Sequence, residues 1–382
     1  MHRIDAFCAI LLMSTAVAAP AAQAPVTGTR PGAAAPFKTS AIASFDNPWA
    51  LAFLPDGRML VTEKAGRLLL LSSDGKQRVA VSGVPRVDSS GQGALGEVVA
   101  HPDFAANRLV YFSYSAPGSP NGVVLARGRL AGGVGEARLE EVKTLYEAHP
   151  LAKDGHYAGR IAFAPDGLLF FTIGDRQKFT PAQNIDGVLG KVVRLTDQGR
   201  PAPDNPLVGK GGDPAIWSYG HRNPLGLAFD LKGRLWNAEM GPRGGDEINL
   251  ILPGRNYGWP IVSNGDHYDG RPIPRHSAKP EYEAPRVSWN PSISPSSLSI
   301  YSGQLFPAWH GKALVGALSG KALILVDLGE HSAREEARYA MGKRIRAVAQ
   351  GPDGAVYLLE DEEGGRLLRL TPSVRASVAP SP

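Results

Sequence analysis

The sequence of 382 residues contains a single cysteine, Cys8, close to the N-terminus. Once that segment is removed, the chain has no thiol, which excludes disulfide bonds and cysteine catalysis. Blocks of lysine and arginine interleaved with aromatic residues are also missing, and the net charge of +5 is spread along the chain. We therefore expect no nucleic-acid partner.

Long apolar runs are missing too, apart from one between Ala6 and about Ala19. That run is too short for a comfortable bilayer span. The charged residues before it and the small residues after it are typical of a secretory signal peptide. We predict a signal peptide over residues 1–24, cleaved after Ala19 or Ala24, and a periplasmic mature chain without an integral membrane segment.

Helical periodicity is nearly absent, whereas glycine (45) and proline (32) are abundant. One phrase recurs instead, in which an apolar strand, a turn near Pro-Asp-Gly and a second strand follow each other. Its copies begin at Leu51, Val98, Ile161, Leu227, Leu305 and Val348. Asp-Gly supplies the positive φ that tight hairpin turns require, and such units must pack around an axis to bury their faces.

Six copies predict an all-β fold, a six-bladed β-propeller over residues 39–372, with a large β-sandwich as the alternative. The flanking residues 25–38 are predicted to be a flexible N-terminal segment, and residues 373–382 a disordered C-terminal tail. The spacing between copies is uneven, which indicates insertions in the loops. Loops on a rigid radial scaffold are where function usually resides.

The strongest polar constellation begins with "GHRNP". Arg222 offers a fixed fork of donors suited to carboxylates or to a developing oxyanion, and Asn223 adds a neutral donor and acceptor. From the spacing alone, a loop arginine bonded to backbone carbonyls is an equal alternative. His156, in "GHYAGR", suits a general base near neutral pH, although an isolated histidine at such a position is more often structural.

The Gly-Pro turn in "GPRGGDEINL" precedes Asp246 and Glu247. Calcium takes carboxylate and carbonyl oxygens, and an irregular turn leaves carbonyl groups unpaired by a sheet. An isolated acidic pair is more often a solvated turn. A calcium site and a solvated turn therefore both stay open at this point.

Together these motifs resemble the soluble aldose sugar dehydrogenases, the pyrroloquinoline-quinone (PQQ) group also called glucose/sorbosone dehydrogenases. The resemblance covers nearly the whole mature chain. Its motifs include "GHRNP", "GPRGGDEIN", "GRNYGWP", "GQGALGEVVAHPDF", "HYAGRIAFAPDG" and "RIRAVAQGPDGAVY". It implies a six-bladed propeller with PQQ on its top face, in agreement with the repeat count. The implied reaction oxidises the anomeric hydroxyl of an aldose to a lactone, with electrons passed to a quinone or cytochrome in the periplasm.

The resemblance also implies roles for single residues. His156 would be the general base, and Arg222 and Asn223 would sit at the reactive carbonyl of the quinone. Arg222 would also stabilise the charge that develops there. The remaining PQQ contacts would be Gln92, Arg344 and Arg346, with both arginines paired to the carboxylates of the cofactor.

Two calcium sites are implied as well. The backbone carbonyls of Gly241 and Pro242 would hold the Ca²⁺ that PQQ chelates. Glu247 and the carbonyl of Tyr257 would belong to a second, structural site. Ca²⁺ on the quinone oxygen would act as a Lewis acid on the acceptor carbon.

Two positions depart from the family pattern. Ser319 stands in "GALSGK" where the family commonly has a lysine, so one positive cofactor contact is in doubt, with Lys321 as a possible substitute. Gly155 precedes His156 where glucose-active relatives can carry an acidic residue, which puts the transfer of sugar preference in doubt. Two other classes are alternatives: a calcium-dependent propeller lactonase or other hydrolase, and a non-catalytic propeller that binds a ligand.

Overall fold

The computed structural model describes residues 26–27, 32–153, 155–329 and 331–373. The predicted signal peptide with Cys8 lies outside these residues, as does the chain from residue 374 onward. None of the described helices is long and apolar enough to cross a membrane.

Strands dominate the described part of the chain. They are β1 (Val26–Thr27), β2 (Phe37–Asp46), β3 (Pro48–Phe53), β4 (Met59–Glu63), β5 (Leu68–Leu71), β6 (Arg78–Ser82), β7 (Leu95–Ala100), β8 (Leu109–Ser115), β9 (Val123–Gly133), β10 (Glu136–Glu147), β11 (Ala158–Phe163), β12 (Leu169–Ile173), β13 (Lys191–Leu195), β14 (Ile216–Tyr219), β15 (Pro224–Phe229), β16 (Leu235–Glu239), β17 (Asp246–Leu250), β18 (Val287–Asn290), β19 (Pro295–Ile300), β20 (Ala313–Ala317), β21 (Ala322–Leu328), β22 (Ala333–Ala340), β23 (Ile345–Gln350), β24 (Val356–Glu360) and β25 (Glu363–Pro372). The helical elements are α1 (Phe104–Asn107) and 3₁₀ turns at Thr180–Ala182, His276–Ala278 and Pro307–Trp309.

The strands from β2 onward form six antiparallel units of four strands, and a parallel pairing of β6 with β10 joins the first two units into one eight-stranded sheet. The units are β3–β6, β7–β10, β11–β14, β15–β18, β19–β22, and β23–β25 completed by β2. The first strands of successive units contact each other, and β23 contacts β3 in turn, so the ring closes. This arrangement is a β-propeller, and the β-sandwich alternative is wrong, because the units follow each other around a closed ring and do not form two opposed sheets.

The second strand of a unit is buried along its whole length in β4, β12 and β24. Both faces of such a strand pack against neighbouring units, which explains its continuous apolar sequence. The preceding turns have the predicted geometry, since Gly57, Gly167 and Gly354 adopt φ values of 84°, 84° and 76°.

The repeat copy that begins at Leu305 is assigned differently by the structure. Its two strands are β20 and β21, the second and third of their unit, and the first strand β19 lies upstream of Leu305. A 3₁₀ turn at Pro307–Trp309 replaces the Pro-Asp-Gly turn of the other copies. The recurring phrase therefore located this unit correctly but placed its first strand at the wrong residues.

Strand β2 begins at Phe37, inside the segment 25–38 that was predicted to be flexible. The cause is packing, since the ring of Phe37 is buried and lies 5.3 Å from Tyr339 and 5.9 Å from Trp309. Further upstream, Val26–Thr27 pairs in parallel with the outer strand β18. At the other end, the Ser373 amide donates to the Pro36 carbonyl.

Candidate active site

A cavity of about 1000 Å³ lies at the end of the ring where the first strands of the units begin. Its wall includes residues just before β7, β11, β15 and β23, so side chains far apart in sequence meet there. The predicted site residues that line it are Gln92, His156, Arg222, Asn223, Gly241, Pro242, Arg344 and Arg346. Glu247 and Tyr257 do not line it, and lie in an adjoining small cavity.

His156 lies on the loop before β11 and contacts a carboxylate that was not predicted. Its Nδ1 is 2.6 Å from Oδ1 of Asp175, which follows β12. Trp259 Nε1 donates to the other carboxylate oxygen, and the Gln177 amide donates to Oδ1. Because a carboxylate only accepts, Nδ1 carries the proton and Nε2 keeps its lone pair. Asp175 thus holds His156 in the tautomer that a base requires.

The electrostatic surroundings keep His156 neutral. Burial lowers its pKa below the ordinary value of 6.5, Asp175 opposes this, and the positive charge of Arg222 lowers the pKa further. Burial of Asp175 favours its neutral form, but the bonds from His156 and Trp259 and the Gln177 amide outweigh this, and its pKa is lowered. At neutral pH the pair is an uncharged imidazole beside a carboxylate.

Arg222 is anchored from two sides and still has an unsatisfied atom. Its Nη1 donates to the Gly241 carbonyl at 2.7 Å, and its Nη2 lies 3.2 Å from the Tyr268 hydroxyl. In the described part of the chain, Nε of Arg222 and Oδ1 of Asn223 are buried without a hydrogen-bond partner. Spacing alone suggested a loop arginine bonded to backbone carbonyls. This alternative accounts for Nη1 of Arg222 but not for its unpartnered Nε.

Arg344 and Arg346 share one carboxylate, which was not predicted either. The Nε atoms of both arginines donate to Asp361, each at 2.8 Å. Burial lowers the pKa of Arg346, but the guanidinium keeps its charge. The Nη atoms of the two arginines bond to no described residue. Asp361 therefore fixes two guanidinium groups whose Nη atoms can still donate to an anion.

The Gly241–Pro242 turn is ordered by Asp246. One carboxylate oxygen accepts from the Gly241 amide at 2.9 Å, and the other accepts from the amides of Ile293 and Ser294 at 2.7 Å. Burial raises the pKa of Asp246 to about 6, although these bonds oppose the shift. A solvated turn is therefore wrong for Asp246, which joins two units at the edge of the cavity.

The small cavity below this turn, of about 10 Å³, has room for one ion or water. Glu239, Glu247 and Tyr257 line it. Burial, followed by the charge of Glu239, raises the pKa of Glu247 well above its ordinary value. Glu239 bonds to the buried His221, whereas the side chain that bonds to Glu247 within the described residues is the neutral Asn249. Two carboxylates thus line this cavity together with one cationic side chain, Arg222.

Ser319 lines the main cavity, where its hydroxyl bonds to that of Ser294 at 2.8 Å. Lys321 is exposed and does not line the cavity, so it does not replace the family lysine. Lys64 does line the cavity, with Nζ 2.8 Å from the Gly91 carbonyl. The cavity lining therefore contains a lysine, but this lysine belongs to a different unit from Ser319.

Arg160 lies beneath the cavity and acts structurally. It donates to Glu97 at 2.7 Å and to the carbonyls of Leu225 and Ser296, and its guanidinium lies 4.1 Å from the ring centroid of Trp49. These partners belong to different units, so Arg160 ties the units together at the axis.

The unpredicted carboxylates share a sequence signal. Asp175, Glu239 and Asp361 each end or follow the second strand of a unit, and each bonds to a residue near the start of the first strand. The separations are 19, 17 and 15 residues, to His156, Arg222 and Arg346. Antiparallel pairing brings the end of the second strand back beside the start of the first strand. An acidic residue after the second strand could therefore have been predicted as a site residue.

Comparison with known proteins agrees with this geometry. The family model described as glucose/sorbosone dehydrogenase matches residues 45–369. The aldose sugar dehydrogenase YliI of Escherichia coli is 40% identical over 339 residues, which cover 86% of this chain and 90% of that protein. Quinoprotein glucose dehydrogenase B of Acinetobacter calcoaceticus is 28% identical, with 85% of each chain covered.

Solved structures extend the likeness to three dimensions. The apo form of the soluble aldose sugar dehydrogenase from Escherichia coli superposes with a TM-score of 0.83 and 38% identity, covering 88% of this chain and all of that one. The PQQ-bound aldose sugar dehydrogenase from Streptomyces coelicolor gives a TM-score of 0.71 and 29% identity, with 88% and 99% covered. The match to the family model spans most of the chain, and the chain belongs to the glucose/sorbosone dehydrogenase family.

Proposed function

We propose that this protein is a PQQ- and calcium-dependent dehydrogenase that oxidises the anomeric hydroxyl of aldose sugars to lactones. The observation that carries the proposal is the neutral imidazole of His156, held by the Asp175 carboxylate, in one cavity with Arg222, Arg344 and Arg346. In this proposal the six units are the blades of a six-bladed propeller, and the cavity is the cofactor site on its top face.

The residues present fit PQQ, which is a tricarboxylate. Four arginines (Arg222, Arg243, Arg344 and Arg346) and Lys64 line the cavity, and the Nη atoms of Arg344 and Arg346 bond to no described residue. The unpartnered Nε of Arg222 would donate to an oxygen of the cofactor, and the unpartnered Oδ1 of Asn223 would accept from a hydrogen-bond donor of a bound molecule. A cavity of about 1000 Å³ is at the upper end of the usual size for a cofactor site, which leaves space for a sugar beside the cofactor.

Calcium would be held by carbonyl groups at the cofactor. No cluster of three His, Cys, Asp or Glu side chains suited to a metal occurs among the residues described, so the ligands at this site would be the carbonyls of Gly241 and Pro242 with oxygens of PQQ. The small cavity fits a second, structural Ca²⁺, because two carboxylates, Glu239 and Glu247, line it with a single cationic side chain, Arg222. Hard oxygen ligands of this kind suit calcium.

The chemistry that PQQ supplies when bound is acceptance of the hydride that leaves the anomeric carbon. His156 removes the hydroxyl proton through Nε2, the atom that Asp175 leaves unprotonated. The positive charge that forms on His156 is stabilised by the Asp175 carboxylate 2.6 Å away. Arg222 donates towards the oxygen on which negative charge develops, and Asp361 keeps Arg344 and Arg346 oriented towards the carboxylates of the cofactor.

Reconstitution tests the proposal directly. Apo-protein supplied with PQQ and Ca²⁺ is expected to reduce an artificial electron acceptor when glucose or another aldose is added, and to release a lactone. The proposal fails if no aldose supports reduction and absorbance titration detects no PQQ binding. Hydrolysis of a lactone by the calcium-loaded protein without PQQ would favour the lactonase alternative, and sugar binding without turnover would favour the non-catalytic propeller.

We also propose that residues 1–24 direct export and that the enzyme works in the periplasm. Electrons would then pass from reduced PQQ to a quinone or cytochrome there. The test is the N-terminal sequence of the protein recovered from a periplasmic fraction, which we expect to begin after Ala19 or Ala24. Recovery of the intact N-terminus from the cytoplasm would refute this part.

The Glu247→Ala variant should lose stabilisation by calcium. A ligand at one hundred times its dissociation constant stabilises a fold by about 2.7 kcal/mol, which corresponds to a rise of roughly 4 °C in the melting temperature of a domain of this length. Without PQQ, Ca²⁺ is expected to raise the melting temperature of the wild type by this amount and that of the variant hardly at all. PQQ affinity at saturating Ca²⁺ should change little. An equal loss of both properties would mean that the two calcium sites were confused.

The Arg346→Leu variant should bind PQQ more weakly. Hydrogen bonds to charged groups contribute about 1.5–3 kcal/mol, so the dissociation constant should rise by roughly 10- to 100-fold. Absorbance titration measures this. Arg334→Leu is the matched control, because Arg334 is an exposed residue on β22 that does not line the cavity. Equal affinities in the two variants would remove Arg346 from the cofactor site.

A further inference from the structure

A fourth arginine of the active-site cavity, Arg243, has no role in the proposed reaction. It follows Pro242 in the sequence "GPRGGDEINL". Its main chain pairs with Asp266, since the Arg243 amide donates to the Asp266 carbonyl at 2.9 Å and the Asp266 amide donates back at 3.1 Å. These two bonds fix Arg243 beside the turn of residues 266–271.

The guanidinium group of Arg243 is unpaired. The residue is exposed, and its side chain makes no hydrogen bond or ion pair with any residue that the structure describes. The two acidic side chains of the adjoining turn each bind another arginine, Asp266 to Arg275 and Asp269 to Arg271, both at 2.8 Å. Because a guanidinium group stays protonated at any ordinary pH, a positive charge is left at this edge of the cavity.

Tyr268, in the same turn, shows where this charge lies relative to the reacting groups. Tyr268 lines the cavity, and its hydroxyl is 3.2 Å from Nη2 of Arg222, the arginine proposed at the quinone oxygen. Nη1 of Arg243 would be 4.0 Å from a Cβ at Gly270, two residues after Tyr268. Arg222 is buried, whereas Arg243 is exposed. Arg243 therefore lies on the wall that carries Arg222 but nearer to the mouth of the cavity, where the end of a sugar remote from its anomeric carbon would lie.

Positive charge exceeds negative charge among the side chains that line the cavity. The cationic ones are Lys64 and the four arginines, and the carboxylates are Asp246 and Asp361. Both carboxylates are occupied, because Asp361 binds Arg344 and Arg346 and Asp246 accepts from backbone amides. PQQ would add three carboxylates and its Ca²⁺ two positive charges, so the excess of positive charge among these groups would remain. Such an excess raises the local concentration of anions.

We propose that Arg243 binds the anionic group of an aldose that carries a carboxylate or a phosphate at the end remote from its anomeric carbon. A guanidinium group can donate two parallel hydrogen bonds to either group. This inference rests on the proposed dehydrogenase function and names a substrate class for it. The class comprises uronic acids and aldose phosphates in addition to neutral aldoses.

The test compares charged with neutral sugars in the enzyme reconstituted with PQQ and Ca²⁺. The wild type is expected to oxidise glucuronate, glucose 6-phosphate or both, with a kcat/KM at least equal to that for glucose. In Arg243→Gln, the ratio of kcat/KM for the charged sugar to kcat/KM for glucose should fall by about three- to tenfold, between the effects of exposed and of buried charged groups. Arg271→Gln is the matched control, because it removes an equal charge from the same turn and residue 271 does not line the cavity. It should keep the wild-type ratio.

Salt gives a second readout. Raising the ionic strength from about 0.01 M to about 0.15 M shortens the Debye length from about 30 Å to about 8 Å. The ratio should therefore fall in the wild type, and it should fall less in Arg243→Gln. Equal ratios in wild type and Arg243→Gln, or oxidation of glucose but of neither charged sugar, would overturn the proposal. A loss of PQQ affinity in Arg243→Gln with an unchanged ratio would also overturn it, and would assign Arg243 to the cofactor.

Binding without turnover separates this proposal from the dehydrogenase function. Methyl glucuronide and methyl glucoside have no free anomeric hydroxyl, so they cannot be oxidised to lactones. In saturation-transfer NMR with PQQ and Ca²⁺ present, the wild type should give a stronger signal for the glucuronide than for the glucoside, and Arg243→Gln should lose this difference. Equal signals in the wild type would refute the anion site. A wild type that oxidises no sugar would refute the dehydrogenase function, whereas the NMR result would still decide the anion site.

Discussion

In the reconstituted enzyme, the His156→Ala variant is expected to bind PQQ with nearly wild-type affinity and to lose turnover by about 10²–10⁴-fold. The reason is that the methyl group of alanine cannot take the hydroxyl proton, while the arginines that hold the cofactor are unchanged. Turnover is measured with a dye acceptor and PQQ binding by absorbance titration.

The matched control is His310→Ala, because His310 is exposed and far from the cavity lining. It should retain full turnover. Wild-type turnover in His156→Ala would remove His156 from the mechanism, and a parallel loss of PQQ affinity would assign it to cofactor binding instead.

The second large effect is expected for Asp175→Asn. The side-chain oxygen of asparagine can replace Oδ2 as the acceptor for Trp259 Nε1, which turns the amide NH₂ towards His156 and leaves the Gln177 amide without its acceptor. Nδ1 must then accept and Nε2 carries the proton, so the imidazole is in the wrong tautomer for a base. We expect turnover to fall by about 10²-fold or more, as for the orienting aspartate of serine-protease triads. PQQ affinity and melting temperature should change far less.

The pH profile distinguishes this role from a structural one. In the wild type, kcat/KM should fall as the pH drops through the pKa of His156, which lies below 6.5. The charge of Asp175 raises that pKa, so its removal moves the acid limb of the residual activity to lower pH. A limb that does not move, or that moves upward, would show that Asp175 acts on something other than the protonation of His156.

The hairpin around residue 156 shows how far the sequence could predict the site. The Pro-Asp-Gly turn predicts β11 and β12 and brings the chain back beside His156. Uninterrupted pairing outward from Phe163 and Leu169 would place Arg176 opposite His156. An irregularity between Ala158 and Ile161 shifts the register by one residue, so that Asp175 lies opposite His156 in place of Arg176. Bulges depend on local backbone strain and tertiary packing, so the pattern of apolar residues does not reveal them.

Other parts of the site depend on contacts between units. The repeats predicted that loops before the first strands converge, and Arg222, Arg344 and Arg346 do meet in one cavity. The role of Asp246 could not be predicted, because its partners Ile293 and Ser294 come from the following unit. The sequence likewise does not show which lysine lines the cavity, because this depends on how the unit that carries Lys64 lies relative to the other units.

The pairing of β2 with β25 affects the order in which the chain can fold. Residues 37–46 are made near the start of synthesis, whereas their partners, residues 363–372, are made near its end. The ring cannot close until almost the whole chain has been synthesised, and closure of so long a loop carries an entropic cost that the earlier units cannot offset alone. A nascent chain would therefore stay open until its last strand, β25, is available to pair with β2.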